Sequence, residues 1–93
     1  MLEIRQSCEN CGKPLPNESS EAMICTYECT YCTDCVENVL YNVCPNCGGG
    51  FEKRPTRPSR LLAVHPVRQD LVSHPVTINK YYKRYKDIDP RQR

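Results

Sequence analysis

Eight thiols carry the chemistry that this chain advertises. Cys8, Cys11, Cys25, Cys29, Cys32, Cys35, Cys44 and Cys47 follow the order C-x2-C-x13-C-x3-C-x2-C-x2-C-x8-C-x2-C. Two thiolates separated by two residues can grip one tetrahedral ion, and four such ligands close a structural zinc site. Eight ligands therefore predict two Zn²⁺ per chain. The rival use of eight cysteines is four disulfides. The opening M-L-E-I-R-Q-S-C holds no apolar run that would direct secretion or cross a membrane. The expected compartment is the reducing cytoplasm, where thiols hold metal rather than oxidise. Tetrahedral sulfur also suits iron, so the donors leave the choice of metal to analysis. His65 and His74 are surplus, since eight thiols already fill two sites.

These thiols must be positioned by very little chain. The cysteines stop at Cys47 of 93 residues, and a segment of roughly fifty residues buries too little apolar surface to fold without staples. Leu2 and Ile4 alternate with charged residues and read as a short strand or flap. Cys8-Glu9-Asn10-Cys11-Gly12 and Cys44-Pro45-Asn46-Cys47-Gly48 are two knuckles of one kind. A glycine after the second ligand permits the positive φ that turns backbone N–H groups toward sulfur. Lys13 to Glu21 is a polar loop with prolines, and Ala22 to Tyr31 reads as two short strands carrying Cys25 and Cys29. Thr33, as N-cap, and Asp34 open a predicted helix of about ten residues, with Val36, Val39, Leu40 and Val43 on one apolar stripe. That stripe, with Ile24 and Leu2 or Ile4, is the predicted core.

Two ligand pairings fit the spacing. Sequential filling joins Cys8, Cys11, Cys25 and Cys29, then Cys32, Cys35, Cys44 and Cys47. Interleaved filling joins Cys8, Cys11, Cys32 and Cys35 in one site and Cys25, Cys29, Cys44 and Cys47 in the other. The glycine-bearing knuckles favour the interleaved order, because a knuckle facing the helix start at Cys32 and Cys35 completes a common kind of zinc site. The three-residue step from Cys29 to Cys32 keeps a shifted or shared ligand open.

The interleaved order resembles a RING finger: a knuckle, two ligands near a hairpin, two at a helix start, then a C-P-x-C knuckle. RING fingers usually carry a histidine in the middle, where this chain has cysteine throughout. Cys8-x2-Cys11, Glu28-Cys29-Thr30-Tyr31-Cys32, Cys35, Cys44-Pro45-Asn46-Cys47-Gly48-Gly49 and Arg54-Pro55-x-Arg57-Pro58 closely resemble a small bacterial cysteine-rich family, domain of unknown function family 1272, over about residues 1–66. That resemblance implies a zinc-ribbon or RING-like fold and a metal, without an activity. The expected class is a small zinc-stabilised α+β fold: a RING-like cross-brace with a short β-hairpin, one helix, two zinc knuckles and a basic C-terminal tail. The resemblance to RING fingers also raises ubiquitin-ligase activity. Against it, Glu9-Asn10 is polar where a ligase needs an apolar contact, and the chain has no tryptophan.

Charge divides the chain. Residues 1–50 hold two basic and seven acidic side chains, net −5, whereas residues 51–93 hold eleven basic and four acidic, net +7. Leu61, Leu62 and Val64 follow a proline-rich basic connector and are expected to pack on the zinc head, ending a domain of residues 1–66. Residues 67–93 read as a basic, tyrosine-containing tail, either disordered or forming a marginal helix over Ile78 to Ile88. Closed four-thiol sites do no chemistry, so no catalytic residue and no enzyme activity are predicted. The expected role is a structural zinc module that mediates protein–protein contact through an unidentified protein partner, with no membrane contact. The alternative is nucleic-acid binding through the basic 51–93 segment, with arginine on phosphate and tyrosine on bases.

Overall fold

The short β-branched and aromatic runs in the first half form a small antiparallel sheet. In the computed structural model, which describes residues 1–93, β1 (Ala22–Ile24) pairs with β2 (Thr30–Cys32), Ala22 opposite Cys32 and Ile24 opposite Thr30. A third strand, β3 (Glu52–Lys53), pairs with the other edge of β1, giving the order β2-β1-β3. Two residues carry no period, so β3 has no signature in the sequence. Cys25 and Cys29 lie just beyond the strand ends, in the hairpin loop that Glu28 closes with φ 64°.

Helix α1 (Thr33–Asn38) is six residues long rather than ten. Cys32, not Thr33, is its N-cap, and the Thr33 hydroxyl donates to the Glu21 carbonyl at 3.0 Å. Tyr41 and Asn42 both adopt positive φ, 49° and 58°. They reverse the chain so that the second knuckle folds back against the hairpin loop instead of continuing outward. The reversal turns Val39 to solvent at 44% exposure, while Leu40 and Val43 stay fully buried.

The core is built from Leu15, Ala22, Tyr31, Val36, Leu40 and Phe51 among the buried thiols. Tyr31 meets Phe51 edge-on, with ring centroids 5.5 Å apart and planes at 82°. Ile4 is buried too, but Leu2 and Ile24 are only half-buried. Leu15, Tyr31 and Phe51 stand alone in the sequence, with no periodicity to mark them.

The basic connector is an internal strap. Arg54 is buried and donates to the carbonyls of Arg5 (2.7 Å), Leu15 (3.0 Å) and Pro16 (2.6 Å). Asn17 and Arg57 exchange two hydrogen bonds of 2.9 Å. Downstream, Leu61 and Leu62 are half-buried, but Val64 is 70% exposed and does not pack on the head.

Residues 67–93 run along the head. Backbone N–H groups of Arg68 and His74 donate to the carbonyls of Ile4 (2.9 Å) and Glu9 (2.7 Å). The Asn79 amide donates to the Val43 carbonyl at 2.8 Å, and the Arg93 guanidinium to the Asn42 carbonyl at 2.7 Å. Helix α2 (Tyr82–Tyr85) is a single turn, shorter than the stretch expected from Ile78 to Ile88. No helix is long and apolar enough to cross a membrane.

Candidate metal centre

The two knuckles are built identically. In the first, Cys8 N–H donates to the Lys13 carbonyl (2.9 Å) and Gly12 N–H to the Cys8 carbonyl (2.9 Å). In the second, Cys44 N–H donates to the Gly49 carbonyl (2.8 Å) and Gly48 N–H to the Cys44 carbonyl (2.8 Å). Gly12 and Gly48 take φ of 78° and 77°, the left-handed geometry that these closed turns require.

Each knuckle faces a different pair of thiols. Cys8 and Cys11 meet Cys32, at the end of β2, and Cys35, in the first turn of α1; all four Sγ atoms lie within 4.8 Å of one another. Cys11 Sγ and Cys32 Sγ are 3.8 Å apart. A tetrahedron with metal–sulfur bonds of about 2.3 Å has edges of about 3.8 Å, so this donor set fits a Zn²⁺-sized ion. In the second group Cys25, Cys44 and Cys47 are mutually within 4.8 Å. Cys29 stands outside that mutual limit, and its Sγ accepts the Asn46 Nδ2–H bond at 3.3 Å. The thiols therefore gather in the interleaved order, with Cys29 the least closely drawn in. His65 and His74 join neither group.

A ring of N–H donors surrounds the sulfurs. Backbone N–H groups of Tyr27, Asn46 and Gly49 point at Cys25, Cys44 and Cys47, each at 3.4 Å. The asparagine of each knuckle also reaches across to the facing pair. Asn10 Nδ2 donates to Cys35 Sγ and Asn46 Nδ2 to Cys29 Sγ, both at 3.3 Å. Asn10 Oδ1 accepts Val76 N–H at 2.7 Å, so the C-terminal segment fixes the orientation of this amide. The shared C-x-N-C-G pattern is the sequence signal for these donors, and sequence reasoning missed it.

Electrostatics favour a cation at both groups. Hydrogen bonds from Cys25 and then Cys44 hold the Cys29 thiol well below its usual range. Neighbouring Cys25 and then Cys29 push Cys44 far up, and Cys25 itself is raised to about 11 chiefly by Cys29. One thiolate forms readily, and the next is opposed by the charge already present. In the first group, burial pushes Cys35 up while Asn10 opposes the shift. A dication removes the opposition by neutralising thiolates as they form.

The polar residue between the first two cysteines is structural. Glu9 is buried, and its carboxylate accepts from Arg5 Nη1 at 2.9 Å and from Thr30 N–H. Burial disfavours the Arg5 charge, but the carboxylates of Glu3 and Glu9 hold it protonated. The hydrogen bonds between Glu9 and Thr30 tie the first knuckle to β2, and Arg5 balances the buried carboxylate.

Similarity to other proteins gives this chain a family but no role. The chain is 47% identical over 75 residues to "Uncharacterized protein R02474" of Rhizobium meliloti (strain 1021), covering 81% of this chain and 89% of that protein. No solved structure matches it. Residues 1–57, which carry all eight cysteines, match the family model described as "Protein of unknown function (DUF1272)", and the chain belongs to that family.

Proposed function

We propose that this protein is a structural zinc module whose role is binding rather than catalysis. Cys8, Cys11, Cys32 and Cys35 hold one Zn²⁺, and Cys25, Cys29, Cys44 and Cys47 hold the other. The interleaving makes a RING-like cross-brace, in which each metal ties two distant segments. The observation that carries this reading is the gathering of seven of the eight thiols into two groups, one of four sulfurs and one of three, each group mutually within 4.8 Å. Four thiolates per ion leave no open position for substrate or water, so the metals stabilise and do not react. This reading assigns the protein to the reducing cytoplasm, where thiols hold metal rather than oxidise.

Contact with a partner protein falls to exposed Tyr27 and the cleft it borders beside the second group. Tyr27 is 72% exposed and borders a cleft of about 660 Å³ with Phe51, Tyr85 and Pro90, next to Cys47. Tyrosine brings large contact area with few rotatable bonds, which suits an interface. Polar Glu9 is consumed by Arg5 and Thr30, which leaves no apolar ligase contact at that knuckle.

Native mass spectrometry of protein purified without added metal is the test, with the apo mass plus two zinc ions expected. One zinc, two iron ions, or a metal-free mass with four disulfides refutes the reading. Cadmium-substituted protein then assigns ligands by NMR, and one cadmium correlating with both Cys11 and Cys25 overturns the cross-brace. A photo-crosslinker at position 27 is expected to yield a discrete protein adduct in cells; its absence refutes the aromatic contact.

A further inference from the structure

The C-terminal turn sorts its side chains by type. Tyr81, Tyr82 and Tyr85 turn toward the head and are half-buried, whereas Lys80, Lys83, Arg84 and Lys86 are exposed. The tyrosines are anchored. The Tyr81 and Tyr85 rings cover Gly48 so closely that an added Cβ there would lie 2.8 Å from the Tyr85 ring. Tyr82 packs on Tyr41 with centroids 5.5 Å apart. Three of the cations then sit over these rings: Lys80 Nζ is 5.2 Å from the Tyr81 centroid, Arg84 Cζ 5.3 Å from Tyr85 and Lys86 Nζ 5.5 Å from Tyr82. Such placement restrains long side chains that are otherwise free.

These four cations have no carboxylate partner. The salt bridges of the molecule engage Arg5, Lys13, Arg68 and Arg91, including the tail-to-head pairs Arg68–Glu3 and Arg91–Glu52. None reaches Lys80, Lys83, Arg84 or Lys86, although Asp87 and Asp89 lie nearby in the chain. The acidic head therefore leaves this patch unneutralised at contact range. We propose that Lys80, Lys83, Arg84 and Lys86 form a docking surface for the phosphate backbone of duplex nucleic acid, with the tyrosines as its scaffold and not as base-stacking platforms.

The sorting decides between modes of recognition. Stacking on single-stranded bases needs open aromatic faces, and here those faces meet Gly48, Tyr41 and the cations. Phosphate contact needs only restrained, unpaired cations at a spacing of a few ångströms. Lys80, in the turn that leads into α2, and Lys83 and Arg84, within it, stand at i, i+3 and i+4, the sequence spacing that sets helical neighbours about 5–6 Å apart. A repeating phosphate chain offers acceptors at comparable intervals, whereas an acidic peptide would also need apolar or shape contacts. The acidic head repels a polyanion, so the duplex is met on the tail face alone. This inference rests on the tail and is independent of which metal the thiols hold.

Fluorescence anisotropy of full-length, metal-loaded protein with a labelled 20-base-pair DNA duplex tests it. Four phosphate contacts give a slope of log K against log salt of about −3.6, so affinity falls roughly a hundredfold between 50 and 200 mM salt. Lys83→Ala, at the one cation of the four that sits over no tyrosine ring, is expected to flatten the slope by about 0.9 without changing metal content. Replacing all four cations with glutamate is expected to abolish binding, with native mass spectrometry checking that both metals remain. If that variant loses metal, the Lys83→Ala slope alone decides. Absence of duplex binding at 50 mM salt overturns the proposal. So does preference for single-stranded oligothymidylate with quenched tyrosine emission, which would mean stacking. Equal affinity for poly-glutamate would instead assign the patch to an acidic protein.

Discussion

Gly12 and Gly48 occupy equivalent knuckle positions with nearly equal φ, 78° and 77°, yet their surroundings differ. A Cβ at Gly12 meets nothing within 4 Å, whereas at Gly48 it meets the Tyr85 ring at 2.8 Å and Tyr81 at 3.3 Å. Gly12→Ala should therefore cost about 1–2 kcal/mol, the penalty of a left-handed alanine alone. Gly48→Ala should add about 1–3 kcal/mol of overpacking, or the equivalent loss if Tyr85 swings away. Folding and metal binding are linked in so small a head, so both losses appear as weaker metal retention. Competition with a zinc chelator is expected to show a loss of about 5–30-fold for Gly12→Ala and at least about fivefold more for Gly48→Ala. The two glycines serve different thiol groups, so Tyr85→Ala is added to each background. Coupling of at least about 1 kcal/mol is expected with Gly48→Ala, and less than about 0.5 with Gly12→Ala. Equal losses with no coupling to Tyr85 would refute the reasoning, because the C-terminal turn would then not rest on the second knuckle.

Two further outcomes follow from burial and from the donors around sulfur. Leu40→Ala should cost about 2–5 kcal/mol because Leu40 is fully buried. Val39→Ala, at a solvent-facing position one residue earlier, should stay within about 0.5 kcal/mol; denaturation at fixed free zinc checks both, and a Leu40→Ala protein as stable as the parent contradicts the helix reversal. Asn10→Ala and Asn46→Ala should each lower metal affinity by about 10–100-fold at the cluster whose sulfur they contact. In cadmium-loaded protein, Asn10→Ala should move the resonance of the Cys35 site and Asn46→Ala that of the Cys29 site. A shift at neither site, or the same shift at both, would contradict the crossed hydrogen bonds.

Much of the scaffold was legible because its constraints are local. Cysteine spacing and the two C-x2-C-G knuckles depend on a few adjacent residues, and the glycines carry the positive φ expected of them. The hairpin and the start of the helix were readable from β-branched residues and an acidic first turn for the same reason. The end of the helix was not, since the apolar stripe runs on to Val43 and continues to look helical. Leu40 and Val43 are buried by the reversal at Tyr41 and Asn42, and no periodicity distinguishes that from a longer helix.

What the sequence determined alone is the inventory: eight thiols with metal-ligand spacing, a head too small to fold unstapled, and opposed charges in its two halves. Which thiols gather was open between two pairings, because spacing limits reach but not direction. The tertiary structure brings the first knuckle to Cys32 and Cys35 at the helix start and the second knuckle to Cys25 at the hairpin loop. It also decided the fate of the basic half. Arg54 and Arg57 became internal donors to backbone carbonyls, Arg68 and Arg91 paired with the head, and Lys80, Lys83, Arg84 and Lys86 stayed unpaired. Eleven cations look alike in sequence, and only the path of the chain fixes which carbonyl or carboxylate lies within reach of each.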